Sequence, residues 1–288
     1  MKRTINLDGN FTPIPYPEIE FKHFIFNGGE HNITLNNSID YSSIDSVIIT
    51  NRINSSEDLI KTLITKDALE RKGIRDIALI MPYLPYARQD RVCNEGESFT
   101  LKVFCNLINQ AKFSKVYVLD AHSDVAPALI NNCVNISNDK HVLFMLKSIY
   151  TKSHMELHPI LISPDSGANK KINKLAQWLN TYNHINVVKA DKVRDAKTGN
   201  LTGFEVFAND LQNRDCIIVD DICDGGGTFI GLAKELKKKN AGKLYLFVTH
   251  GIFSKGFEEL KEYFEMIYTT NSFRDIENNF IKQFKIQL

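Results

Sequence analysis

Cys216-Ile217-Ile218-Val219-Asp220-Asp221-Ile222-Cys223-Asp224-Gly225-Gly226-Gly227-Thr228-Phe229 sets an apolar strand, three acids, three glycines and a helix start in one short run. Cys216 to Val219 read as a buried strand. Phe229, Leu232, Ala233 and Leu236 recur at helical spacing, with lysines on the other side. Glycines let the backbone approach an anion closely, and the free N–H groups of such a loop and of a helix start bind phosphate. Carboxylates just upstream repel a phosphate, so Asp220 and Asp221 suit ribose hydroxyls or a metal ion beside them. The segment therefore reads as a sugar-phosphate site, with Asp224, Gly225, Gly226, Gly227 and Thr228 around the phosphate. A plain tight turn with acids as helix caps accounts for paired glycines. It does not account for the ordered set of strand, Asp-Asp, two residues and Asp-Gly-Gly-Gly-Thr.

Strand-like runs lie at Ser46–Thr50, Asp76–Met81, Lys115–Leu119, Pro159–Ser163, Asn186–Lys189, Cys216–Val219 and Lys243–Thr249. Amphipathic segments at Glu57–Lys72, Leu101–Gln110, Lys170–Asn180 and Phe229–Lys239 fall between several of them. Strand and helix in alternation predict an α/β fold of parallel sheets covered by helices. At 288 residues there is material for one large domain or two modest ones. Two are expected, over 1–142 and 143–288, with a hinge around Asp139–His158 and a last strand free to return to the first domain.

The composition, 43% hydrophobic and 24% charged, is that of a soluble globular protein. A net charge of +1 leaves no basic excess for a nucleic-acid partner. No apolar run reaches membrane-spanning length, and the first residues lack the apolar core of a signal peptide. Five cysteines, odd in number and without metal-type pairing, fit reduced thiols and a cytoplasmic protein.

Further motifs sit at strand ends. Pro82-Tyr83-Leu84-Pro85-Tyr86-Ala87-Arg88-Gln89-Asp90-Arg91 follows the strand ending near Met81. Its prolines forbid a helix and stiffen the loop. Arg88 and Arg91 offer planar forks to a polyphosphate, and Gln89 or a tyrosine suits a base. Asp120-Ala121-His122 puts a histidine just past a strand, a place for a metal ligand. Ser163-Pro164-Asp165-Ser166-Gly167 and Asp191-Lys192-Val193-Arg194 follow later. Taken singly, each is also compatible with solvated loop charge.

In order along the chain, these motifs resemble those of the ribose-phosphate pyrophosphokinase (PRPP synthetase) family. The glycine motif is one that phosphoribosyltransferases share. Tyr86-Ala87-Arg88-Gln89-Asp90-Arg91 is similar to that family's ATP-contacting segment. Asp8-Gly9-Asn10 and Phe26-Asn27-Gly28-Gly29-Glu30 echo its N-terminal motifs, the second lining the adenine pocket from a neighbouring subunit, with Gly28 in place of an aspartate. The resemblance runs from about Asn6 to about Leu288. It implies two phosphoribosyltransferase-like domains, each a mainly parallel sheet flanked by helices. It implies ATP held by Phe26, Glu30, Arg88, Gln89 and Arg91, and Mg²⁺ held by His122 and Asp165. Lys192 and Arg194 become the cations that stabilise the transition state. The implied reaction moves the β,γ-diphosphoryl group of ATP to the anomeric hydroxyl of ribose 5-phosphate in a homodimer or larger homo-oligomer. A phosphoribosyltransferase would not need the Arg-Gln-Asp-Arg loop, and a non-catalytic relative would not need Lys192, Arg194 and His122.

Two departures bear on that expectation. Val92-Cys93-Asn94-Glu95-Gly96-Glu97-Ser98 lacks the family's basic run, and little follows the last strand before Leu288. Weak or no phosphate activation and weak ADP allostery are therefore expected. Gly225 stands where the family usually has threonine. It removes a hydroxyl and is expected to open space beside the phosphate, which admits a second acceptor, ADP-ribose, as in short phage-encoded members of the family.

Overall fold

The computed structural model describes residues 1–150, 159–182, 185–194 and 201–288. They form two compact units, one of Met1–Ser137 with Lys285–Leu288 and one of Asn138–Phe284.

The first unit carries a five-stranded sheet. Its strands are β1 (Lys2–Asn6), β4 (Ser46–Thr50), β5 (Asp76–Ile80), β6 (Val116–Leu119) and β7 (Cys133–Ile136), all parallel and in that spatial order. A separate antiparallel hairpin joins β2 (Phe21–Ile25) to β3 (His31–Leu35). The crossovers are α1 (Ser56–Arg71), α2 (Thr100–Gln110) and the short α3 (Val125–Leu129). The boundaries of α1 follow from local chemistry. Ser55 Oγ accepts from the Asp58 N–H at 3.1 Å, and Asp58 accepts in return from the Asn54 N–H and Ser55 Oγ. Gly73, at φ +90°, ends the helix in the left-handed region, with the Ile74 N–H closing on the Leu69 carbonyl. One sheet face is filled by residues such as Val47, Ile49, Leu79, Phe104 and Ile108. On the other, Phe11, Ile80, Leu119 and Ile286 pack together, the last supplied by the tail.

The second unit opens with α4 (Asp139–Ile149), where a hinge is expected from the sequence. Val142, Leu143, Met145 and Leu146 of this helix are buried. Then follow β8 (Ile160–Ser163), α5 (Asn169–Leu179), β9 (Asn186–Arg194), β10 (Leu201–Val206), β11 (Cys216–Cys223), α6 (Gly227–Lys238), β12 (Leu244–Gly251), α7 (Glu258–Lys261), β13 (Met266–Thr270) and β14 (Ile281–Phe284). The sheet order is β10-β9-β8-β11-β12-β13-β14. Every pairing is parallel except β9 with β10. From β8 the chain builds outward one way through β9 and β10. It then returns to β11 and builds the other way. The β8/β11 boundary is thus a topological switch point, and ligands of open α/β sheets sit outside the strand ends there. The apolar runs of β11 and β12 read as continuous because both faces are covered. Cys216, Ile218, Leu244 and Leu246 face one core, and Ile217, Val219, Tyr245 and Phe247 the other. Among the described residues, no helix is long and apolar enough to cross a membrane.

Candidate functional site

At the switch point, β8 delivers Asp165 and β11 delivers Asp220, Asp221 and the glycine loop. Here the strand is longer than its apolar run suggests. β11 continues through Cys223, so both acids lie within it and pair alongside Val248 to His250 of β12. The Asp221 side chain is buried, and its N–H donates to Asp220 Oδ1 at 2.9 Å. Desolvation, and then the neighbouring carboxylates of Asp221 and Asp165, push the Asp220 carboxyl well above the ordinary carboxylate value. Ionising the whole cluster is therefore costly. Hydroxyl donors or a cation would lower that cost.

Gly226, at φ +79°, caps α6 in the left-handed conformation, which costs glycine least. A Cβ there would also meet Leu260 at 3.3 Å. The 224–228 loop leads into the start of α6, whose first N–H groups have no partner within the helix. Gly225 is a correction to the sequence expectation. A Cβ on it would meet Cδ, Cε and Cγ of Lys255 at 3.3, 3.4 and 3.6 Å, so the space beside the loop is filled by that stem rather than opened.

Lys192, in β9 opposite Phe204 of β10, donates from Nζ to Asp165 Oδ2 at 2.6 Å. The other oxygen of Asp165 accepts from the Ala168 N–H at 3.0 Å, which ties the 165–168 turn to the start of α5. Asp165, Lys192, Asp220 and Asp221 are thus gathered within one unit. Arg194 ends β9, and its side chain lies outside the described residues.

In the first unit, the loops after the adjacent strands β5 and β6 carry Arg88, Gln89, Arg91 and His122. Asp90 is buried and holds the exposed Arg91 guanidinium by two hydrogen bonds, Nε to Oδ1 at 2.7 Å and Nη2 to Oδ2 at 3.2 Å. Arg91, then a Ser123 hydrogen bond and the nearby His122, set against partial burial, hold the Asp90 carboxyl below its ordinary value. The 88–91 and 122–123 segments are therefore linked through Asp90. Tyr86 has φ +62°, a left-handed conformation costly for an aromatic residue, and it leads directly into Ala87 and Arg88. Phe26 and Glu30 flank the β2–β3 turn, where the Phe26 N–H donates to the Glu30 carbonyl at 2.9 Å. The Glu30 carboxylate lies 2.7 Å from where a Cβ on Gly28 would stand, so glycine at 28 makes room for it.

For Mg²⁺ the donor set can be tested directly. No group of three or more His, Cys, Asp or Glu is arranged to hold a metal among the described residues. Mg²⁺ ordinarily takes one or two carboxylates and completes its shell with water and substrate phosphates. The closely spaced acids Asp220 and Asp221 suit such a substrate-borne ion and not a protein cage.

A family model described as the N-terminal domain of ribose phosphate pyrophosphokinase matches residues 14–111, and one described as the phosphoribosyl synthetase-associated domain matches 183–285. The ribose-phosphate pyrophosphokinase of Mycoplasmopsis pulmonis is 30% identical over 227 residues, 77% of this chain and 67% of that relative. The chain belongs to the ribose-phosphate pyrophosphokinase family. The Mycoplasma genitalium member is 29% identical over 81% of this chain and 69% of its own length, and the Mycoplasma pneumoniae member 33% identical over 69% and 58%. The match thus spans 58% to 69% of the length of these relatives. A solved phosphoribosylpyrophosphate synthetase of Mycobacterium smegmatis superposes with a TM-score of 0.81, covering 99% of this chain and 94% of that one at 20% identity, which establishes the shared fold. None of these family relatives is named for ADP-ribose. With Lys255 beside Gly225, that acceptor is left without support.

Three groups near the family motifs are not marked by sequence patterns. Asp90 is one. The second is Ser254, whose Oγ donates to Asp224 Oδ1 at 2.6 Å and whose N–H donates to the Asp224 carbonyl at 3.1 Å. The third is a buried polar network at the ends of β12 and β13. Asn138 donates to Thr249 Oγ1 at 3.0 Å, Thr270 and Ser272 donate to the Thr249 carbonyl at 2.7 and 3.0 Å, and His250 Nδ1 meets Ser272 Oγ at 2.7 Å. The available signal is the run of polar residues closing an otherwise apolar strand, Thr249-His250 after Leu244–Val248.

Proposed function

We propose that this chain is a cytoplasmic ribose-phosphate pyrophosphokinase that transfers the β,γ-diphosphoryl group of ATP to ribose 5-phosphate, forming PRPP and AMP. The observation that carries the reading is the switch-point cluster. Two strand-borne acids, a glycine loop at a helix start and a lysine on a third acid sit together in a chain of this family.

Asp220 and Asp221 accept hydrogen bonds from the ribose hydroxyls, which offsets the repulsion between their neighbouring carboxylates. The N–H groups of the 224–228 loop and the Thr228 hydroxyl hold the 5-phosphate. Arg88, Gln89 and Arg91 bind ATP, with Arg91 already oriented by Asp90. Phe26 and Glu30 contribute to the nucleotide site from a homo-oligomer partner. The exposed Phe24, Ile25 and Phe26 of the hairpin suit such an assembly. The C1 oxygen attacks the β-phosphorus in line, the bond from that phosphorus to the α,β-bridging oxygen breaks, and AMP departs with that oxygen. The hydroxyl proton passes to solvent. Lys192 moves from Asp165 to the transferring phosphoryl oxygens, together with Arg194, and stabilises the charge that develops there. His122 in the first unit and Asp165 in the second are each residues that would take part in holding Mg²⁺, which would supply positive charge to the phosphate oxygens.

The test is AMP release from ATP with ribose 5-phosphate as acceptor. AMP and PRPP in equal amounts are expected, and no acceptor-dependent AMP would overturn the reading. Running the assay with and without inorganic phosphate checks the expected weak activation. Glu97 already ties the Cys93 and Asn94 N–H groups of the 92–98 loop to itself, at 2.9 and 3.1 Å.

A further inference from the structure

The phosphate loop has no cation of its own. Between Arg214 and Lys234 the sequence carries no Lys or Arg, whereas Asp215, Asp220, Asp221 and Asp224 all fall in that interval. A phosphate dianion held there meets N–H groups and one hydroxyl, with Asp224 beside it. N–H donors alone leave most of its charge uncompensated, and Asp224 opposes it.

The connection after β12 brings a cation to this place. The Ile252 and Phe253 N–H groups donate to the Cys223 carbonyl at 2.9 and 3.1 Å, and the Ser254 N–H donates to the Asp224 carbonyl at 3.1 Å. Ser254 Oγ adds the 2.6 Å bond to the Asp224 carboxylate. Phe253 at φ +48° and Gly256 at φ +75° turn the chain on either side of the pair Ser254-Lys255. The segment is therefore clamped by four hydrogen bonds to the loop it overlies, with Lys255 lying across Gly225. Gly225 is not in the left-handed region, so its backbone does not demand glycine. What crowds this position is the lysine stem, whose Cδ, Cε and Cγ lie 3.3, 3.4 and 3.6 Å from where a Cβ at 225 would stand, so a side chain there would push the stem aside. Lys255 is exposed and, among the described residues, makes no ion pair or hydrogen bond. A long side chain held along its stem with its ammonium in solvent is poised to take an anion.

We propose that Lys255 is a phosphate-binding residue for the acceptor. Its ammonium reaches over Gly225 to pair with the phosphate seated on the 224–228 loop, and Gly225 and Lys255 form one unit in which the glycine makes room for the lysine. The inference rests on the reading above that this loop holds the 5-phosphate. It adds a residue from a different segment, and it reinterprets the missing hydroxyl at 225 as an exchange of a neutral donor for a charged one.

Lys255→Met keeps the stem and removes the charge, and Lys255→Arg keeps both. Lys255→Met is expected to raise the KM for ribose 5-phosphate roughly 10- to 100-fold, the weight of one hydrogen bond to a charged group, with the KM for ATP and the Tm unchanged. Lys255→Arg should restore most of it. Gly225→Ala should raise the acceptor KM in the parent chain and much less in a Lys255→Ala background, because the stem it displaces is then gone. Thr228→Ala serves as the reference for the loop itself. If Thr228→Ala weakens the acceptor and Lys255→Met does not, the lysine assignment alone is overturned. If the parent chain gives no AMP with ribose 5-phosphate, the reading of the loop falls and the inference with it.

Discussion

Asp90 and Asp220 are the same residue type near the carboxyl ends of parallel strands, one in each unit, and their carboxyls are displaced in opposite directions. Asp90 is held down, first by the Arg91 guanidinium it binds. Asp220 is pushed up, first by desolvation and then by Asp221 and Asp165. The first unit thus presents an arginine whose orientation is fixed beforehand by its own buried acid. The second presents a close pair of acids that is costly to ionise in full. Pre-orientation suits a large, charged, flexible nucleotide, where the cost of ordering side chains is high. Closely spaced carboxylates suit hydroxyl-rich or cation-bearing ligands and are costly to the unliganded fold when ionised.

Predictions can break that contrast at either end. The largest effect is expected from Lys192→Ala, which removes the ammonium paired with Asp165. A loss of about 2.7–4 kcal/mol of transition-state stabilisation, a hundredfold or more in turnover, should leave ATP affinity nearly unchanged. Wild-type turnover would remove Lys192 from the chemistry. Next, Arg91→Ala should raise the KM for ATP by about tenfold or more, as expected for a charge-assisted contact of about 1.5–3 kcal/mol. Asp90→Asn should raise it less, because the arginine remains but loses its fixed orientation. Equal KM values for ATP in parent and both variants would mean the pair is merely structural.

Gly226→Ala is expected to destabilise the second unit by about 1–2 kcal/mol, because it puts a Cβ on a left-handed residue and against Leu260. Denaturant unfolding reads this, and an unchanged midpoint would contradict the strain. The smallest effect concerns Asp220→Asn. A carboxyl raised in the folded state keeps its proton longer than in the unfolded chain. Its contribution is therefore fully present below about pH 3.9 and is lost as pH rises through the native value. The amide cannot ionise, so Asp220→Asn should raise the Tm of the unliganded protein by roughly 2–4 °C near neutral pH and by less near pH 4. The acceptor KM should worsen at the same time. A uniform Tm change across pH would argue against charge repulsion as the cause.

Much of the architecture is legible in the sequence where periodicity is strong. The strand and helix expectations from Ser46 onward fall on β4, β5, β6, β8, β9, β11 and β12 and on α1, α2, α5 and α6 within a few residues, except that β9 and β11 run on past their apolar cores. The hairpin β2–β3 is hidden because Phe24, Ile25 and Phe26 are exposed, which defeats a pattern built on burial. The short β7 has two exposed residues of four and no alternation to show. Of the site, the strand-end motifs are visible because their chemistry is local. The meaning of Gly225 is not, because it depends on a side chain thirty positions later that only the β12 connection brings across. Asp90 is likewise invisible as an orienting acid until its burial beside Ser123 is known.

The tail 285–288 has a consequence for the order in which the protein is made. Ile286 completes the apolar face of Phe11, Ile80 and Leu119, and the Leu288 N–H donates to the Pro13 carbonyl at 2.9 Å. Domains generally fold in the order of synthesis. Here the first unit lacks part of its core until the whole of the second has been translated, so the half proposed to bind nucleotide would wait, with Phe11 and Leu119 uncovered, for the half proposed to bind sugar.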